Sequence, residues 1–344
     1  MTFKDAPSPF SGSNLDNILN IAPDFILRSS DGVDFHVHKD LLKLVSGCFE
    51  GMFSFPEADN DDNDDEGGTL RRDRKPVVKV TEPKSVLHKL LLLAYPAHAP
   101  GAYSLKYKDL DDFVPLHEAA GKYQFATVQR LLDQMLSDAT LVDAHPHRVF
   151  AIARLCNLPE AARAAAVATL KLEAHLVGDE FPEMKLLKWT DAHQLLTFHR
   201  DCAESAKKLL KANIEEKDNR YMTKGTRDVD GGWVTDDFQW YAWWASSGHP
   251  SSSGCGPKVE KGSFVEPAEW FAAVAARLAD RLYKVPHGSS ITDEHEFFTA
   301  AETEKHEACW ECARRGMRDY RIFTRDLSKH INNSHKSHAR QTFE

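Results

Sequence analysis

Between residues 24 and 53 the hydrophobic period switches from two to about 3.6, so the chain passes there from strand to helix. Asp24-Phe25-Ile26-Leu27 reads as a strand and Asp31-Gly32 as a turn, after which Val33, Phe35 and Val37 alternate with Asp34, His36 and His38. Alternation around a glycine-containing turn predicts an antiparallel hairpin. Leu41, Leu42, Leu44, Val45, Cys48, Phe49, Met52 and Phe53 then recur at helical spacing. Glycine weakens a helix interior, so a break is expected near Ser46-Gly47. A short strand over 77–80 and helices over 84–95, 110–124 and 127–136 follow. Hairpin, helices, strand and helices again predict an α+β fold rather than a βαβ alternation.

The flanks divide the chain further. Residues 1–20 are polar and carry no basic region followed by an apolar run, so they read as a flexible leader and not a secretory signal. Residues 58–75 hold six acids in the eight positions 59–66, then Arg71, Arg72 and Arg74. Such a like-charge block has no face to bury and predicts a disordered insert within the first domain, 21–140. A calcium loop needs a ligand spacing and terminal Glu that are missing here. After residue 140 strand signals nearly vanish, and 141–328 reads as a mainly helical second domain, with a flexible His-rich tail over 329–344. A net charge of -9 removes the basic global field that would draw nucleic acid. The longest apolar run, 90–95, is far below the roughly 18 residues of a membrane span. Six scattered cysteines fit free thiols in the cytoplasm or nucleus better than a disulfide framework.

The first domain resembles the BTB/POZ fold. The resemblance is carried by Asp24-Phe25-Ile26-Leu27, by Phe35-His36-Val37-His38-Lys39-Asp40-Leu41-Leu42 and by Ser46-Gly47-Cys48-Phe49-Glu50-Gly51-Met52-Phe53. A helix ending in Tyr95 and Leu116-His117-Glu118-Ala119-Ala120-Gly121-Lys122-Tyr123 complete it. It implies that Asp24, Phe35, His38, Leu41, Leu42, Ser46, Phe49, Met52, Phe53 and Tyr123 define the fold or its interaction surface. It further implies a non-enzymatic protein-binding role. The expected partners are a second copy of the chain, forming a homodimer, and, for an adaptor, a cullin-family ubiquitin-ligase scaffold; a transcription-related role is the other branch. Asp24 and His38 are expected to serve the fold, because no nucleophile, base and oxyanion set surrounds them. The rest of the chain is similar to the C-terminal regions of BTB-containing proteins abundant in basidiomycete fungi. The carrying stretches are 145–162, Leu195 to Cys202, the Trp-rich run and Cys309-Trp310-Glu311-Cys312.

Two features of the second domain bear on chemistry. His199 and Cys202, and likewise Cys309 and Cys312, stand three apart on predicted helices, so each pair shares a face. Together they make a candidate Cys3His set for structural zinc, with His306, His249 and Cys255 as substitutes. The other reading is buried core thiols, since free Cys packs well as a small apolar residue. A metal- or redox-dependent enzyme built on this set is the alternative function, and it would need an open metal position and a base. Trp233, Trp240, Trp243 and Trp244 are expected to pack a core or hairpin rather than a ligand platform.

Overall fold

The computed structural model describes residues 4–12, 21–54, 70–95, 107–173, 180–213, 269–293 and 310–343, and short strands between 215 and 266. The chain divides into two compact units, Met1–Ala161 and Ala162–Glu344. The first is α+β. Its sheet contains β1 (Lys4–Asp5), β2 (Phe25–Arg28), β3 (Val33–Val37), β4 (Arg71–Arg72) and β5 (Lys75–Lys79), in the order β1-β3-β2-β5-β4. The hairpin read from the sequence is β2–β3, with Phe25 opposite Val37 and Leu27 opposite Phe35. Gly32 adopts φ +79 in the connecting turn, a conformation that a side chain would strain. The β5 strand lies parallel to β2, Ile26 opposite Val77, so the chain must cross over between β3 and β5.

Helices α1 (Lys39–Val45) and α2 (Gly47–Ser54) begin that crossover. The break between them has an identifiable cause. Ser46 Oγ accepts the Phe49 N–H at 3.1 Å, capping α2, and donates to the Tyr123 carbonyl at 2.6 Å. Helices α3 (Lys84–Ala94), α4 (Phe113–Lys122) and α5 (Ala126–Leu136) follow, then α6 (Ala139–Ala144) and α7 (Pro146–Leu155). Asp138 caps α6 by accepting the Thr140 and Leu141 N–H groups. Pro146 opens α7, where its missing N–H costs nothing. Phe35, Leu42, Leu90, Leu91, Phe113 and Leu132 are buried in this unit's core. Both α6 and α7 fall within the first unit, past the boundary expected at residue 140.

In the second unit, α8 (Pro159–Thr169) crosses the division and brings buried Ala162, Ala165 and Ala166. The long helices are α9 (Trp189–Asn213), α10 (Glu269–Lys284) and α11 (Trp310–Thr342). Between α9 and α10 the chain forms antiparallel strands where the sequence reads only as a break in helical pattern. These are β6 (Glu215–Lys217), β7 (Arg220–Lys224), β8 (Thr226–Arg227), β9 (Trp233–Thr235), β10 (Phe238–Gln239), β11 (Lys258–Val259) and β12 (Phe264–Glu266). They pair as β10-β9-β8 and β11-β12-β7-β6. To the mainly helical second domain the structure therefore adds two small sheets that the sequence does not announce. Strands of two to five residues are too short to register a period.

Three further expectations are corrected. The leader is partly structured: β1 pairs with β3, and Phe10, 1% exposed, packs its ring on Phe35, His88 and Tyr95. Burial of one such ring stabilises by about 2 kcal/mol, which anchors a segment otherwise polar. Gly12 stands where a Cβ would meet the His36 ring at 2.7 Å. The insert is shorter than 58–75. Leu70 onward belongs to the β4–β5 hairpin, in which Arg72 faces Lys75 across Asp73 and Arg74, both at positive φ. The acidic run itself, 59–66, lies outside the described residues. The tail over 329–344 is helical through Thr342, with Ile331, His335, Ala339 and Phe343 buried at four-residue spacing.

Candidate interaction surface

The residues singled out in the first unit fall into two groups. Phe35, Leu42, Ser46, Phe49 and Tyr123 are buried. Phe49 stacks on Tyr123 at 5.6 Å and lies 6.0 Å from Phe53, which meets Phe25 edge-on at 4.9 Å. The Tyr123 hydroxyl donates to Glu82, whose other carboxylate oxygen receives Lys122 Nζ at 2.8 Å. Burial pushes the Glu82 carboxyl up, but hydrogen bonds from Lys122 and Tyr123 outweigh it and hold it below its ordinary value. Asp24 lies on the surface yet reaches the first turn of α1, accepting the Lys39 N–H at 2.9 Å. The His38 N–H donates to Tyr95 Oη at 3.0 Å, and His38 Nε2–H donates to the Ile21 carbonyl at 2.8 Å. Asp24 and His38 thus tie the strand-to-helix junction together.

The second group is exposed. Leu41 is half-buried, Leu44 is 81% exposed, Cys48 is exposed and Met52 is 37% exposed. These four lie on the adjoining helices α1 and α2, so the apolar stripe read from the sequence splits. One side, through Leu42 and Phe49, enters the core, and the other meets solvent. Leu44 and Met52 are thus left uncovered among the described residues.

The Cys/His set divides differently. Cys309 lies outside the described residues. Cys312 lies on α11, with its side chain outside them. His199 and Cys202 share the buried side of α9. His199 Nε2–H donates to the Leu172 carbonyl at 3.3 Å, and burial holds its pKa below the ordinary value. Burial pushes the Cys202 thiol up to about 12, so in this setting it stays protonated at neutral pH. Among the described residues no group of three or more His, Cys, Asp or Glu side chains is placed to hold a metal. Cys255, His249, His306, Trp240, Trp243 and Trp244 lie outside the described residues, while Trp233 begins β9.

Two constellations escaped the sequence. Asp34, wholly buried on β3, accepts Arg28 Nε and Nη2 at 2.6 and 2.9 Å and Arg72 Nη1 at 2.6 Å, and Arg72 also binds Asp5 at 2.8 Å. Alternation sets Asp34 on the face opposite Val33, Phe35 and Val37, and no pattern links it to residue 72. In the second unit, His335 is wholly buried on α11. Its Nε2–H donates to the Cys202 carbonyl at 3.1 Å and its Nδ1 has no partner among the described residues. The four-residue spacing through Phe343 was its signal, masked by the polar residues between.

Among the described residues no helix is long and apolar enough to cross a membrane. Compared with models of protein families and with curated proteins, the chain matches none.

Proposed function

We propose that this is a non-enzymatic protein-binding molecule whose first unit is a BTB/POZ-type domain that pairs with a second copy of itself. The observation that carries the reading is the exposed α1–α2 face with Leu44 and Met52, set beside a junction in which Asp24, His38, Ser46 and Tyr123 all serve the fold. Apolar side chains left in water on a fixed scaffold favour association, each contributing through the area it removes from water. An adaptor role toward a cullin-family scaffold is the narrower form of the same proposal.

Light scattering on the full chain tests it. The expected mass is twice 38.7 kDa at micromolar concentration, falling to 38.7 kDa in the Leu44→Asp/Met52→Asp variant, whose circular dichroism should be unchanged. A wild-type mass of 38.7 kDa overturns self-pairing.

A further inference from the structure

The second unit carries an exposed apolar stripe of its own. A 3-10 turn at Pro182–Lys185 leads into α9, and the stretch Met184-Lys185-Leu186-Leu187-Lys188-Trp189 alternates apolar and basic residues. Met184 is 42% exposed, Leu186 61%, Trp189 74% and Leu196 49%. Trp189, His193 and Leu196 stand at i, i+4 and i+7, so they share one face of α9. The Trp189 and His193 rings lie 6.1 Å apart. The buried side of α9 is elsewhere, through Phe198, Cys202, Ala206 and Leu210. The helix therefore spends one face on its own unit and, among the described residues, leaves a second uncovered, with Trp189 and Leu196 about 10 Å apart along its axis at 1.5 Å per residue.

Residue types sharpen this. Trp and Met are enriched at the centres of protein interfaces, and a Trp this exposed is costly to leave in water. Lys185 and Lys188 are exposed and make no ion pair among the described residues. Of the neighbouring acids, Glu183 is buried and Asp191 half-buried, while Glu180 is exposed ahead of the turn. The N-terminal end of the stripe thus presents two exposed ammonium groups, unpaired among the described residues, close in sequence to exposed Met184, Leu186 and Trp189.

We propose that this stripe binds an amphipathic helix of a partner protein, with apolar residues at i, i+3/i+4 and i+7 and acidic residues at the end that meets Lys185 and Lys188. A narrow stripe along a helix axis matches a second helix laid beside it. An anionic bilayer fits less well. It would meet a broad face of a chain whose net charge is -9, whereas a short peptide feels only charges within a Debye length of roughly 8 Å. The proposal goes beyond the pairing of the first unit and uses none of its residues.

The test is selection from a displayed library of amphipathic helices with randomised charged flanks, using the full chain as bait. Enriched helices should carry Glu or Asp at one end. Their affinity should fall about tenfold or more for Trp189→Ala, the loss typical of a central aromatic anchor. Lys185→Glu/Lys188→Glu should reverse the flank preference from acidic to basic. Both variants alter exposed side chains, so an unchanged melting temperature is expected and confirms folding. No enrichment, or binding indifferent to Trp189→Ala, overturns the proposal. A drop in the chain's own mass on Trp189→Ala shows a second copy as occupant and also overturns it. So does Trp189-dependent sedimentation with phosphatidylserine-containing vesicles. None of these readouts involves Leu44 or Met52, so loss of self-pairing in the first unit leaves the result interpretable.

Discussion

At Asp34 one carboxylate without solvent contact receives three guanidinium hydrogen bonds, two from Arg28 and one from Arg72. Burial pushes its carboxyl up, yet those bonds prevail and hold it below its ordinary value. Asp34→Ala leaves two cations facing each other, and loss of one buried partner costs about 3 kcal/mol. Urea denaturation of the full chain measures it, and a change under about 1 kcal/mol would mean that water reaching Arg72 screens the cluster. His335 works in the opposite sense. Burial lowers its pKa to about 4, and neighbouring His287, His338 and His199 push the same way. An unfolded His titrates near 6.5, so between about 6.5 and 4 the unfolded chain binds the extra proton. Stability of the second unit should therefore be full above pH 6.5 and fall on the order of 3 kcal/mol as pH drops toward 4. His335→Gln, which can still donate to the Cys202 carbonyl, should flatten that slope in pH-dependent thermal melts. An unchanged slope would place the acid sensitivity elsewhere, with half-buried His88 of the first unit, whose pKa burial also lowers, next to examine.

At the scale of elements, the sequence was most legible where period and punctuation agree. The β2–β3 hairpin, the break at Ser46 and helices α3, α4 and α5 stand within a few residues of their predicted bounds. It failed where a single contact overrides composition. Nothing in residues 4–12 announces that the Phe10 ring enters a pocket made by Phe35, His88 and Tyr95. The β4–β5 turn puts Asp73 and Arg74 at positive φ, where a glycine would have been the readable sign. In α11 the buried positions are occupied partly by His and Ala, which carry little hydrophobic signal. The candidate surfaces were less legible still. Leu44 and Met52 belong to one apolar stripe by spacing, and Trp189 and Leu196 carry no mark of exposure, because a periodic apolar residue does not reveal whether its helix has a neighbour on that side. The acidic insert offers a test at this scale. Replacing residues 59–69 with a short Gly/Ser link, so that β4 and Arg72 remain, should change stability by less than about 1 kcal/mol. Extending the excision through Arg72 removes a partner of Asp34 and should lower the thermal midpoint clearly. Equal effects of the two deletions would show that the acidic stretch itself contributes.

For the molecule as a whole, the first unit's sheet ends on both sides in a strand of only two residues, Lys4–Asp5 at one side and Arg71–Arg72 at the other, and all four are charged. A sheet whose last strands are open offers unpaired N–H and C=O groups to any other extended chain, the route to fibrils and amorphous aggregates. Here those positions are short and decorated with charge, and the backbone seal continues past β1, with the Ala6 N–H bonding the Asp34 carbonyl and the His36 N–H bonding that of Phe10. The N-terminal segment therefore acts as a colloidal safeguard for the apolar strand Val33–Val37. Removing residues 1–12 should leave a chain that clouds with concentration and stains with thioflavin under conditions where the intact protein stays clear. If the shortened protein is equally dispersed, the charged strand at the far side suffices alone, and the N-terminal segment can be remodelled without regard to solubility.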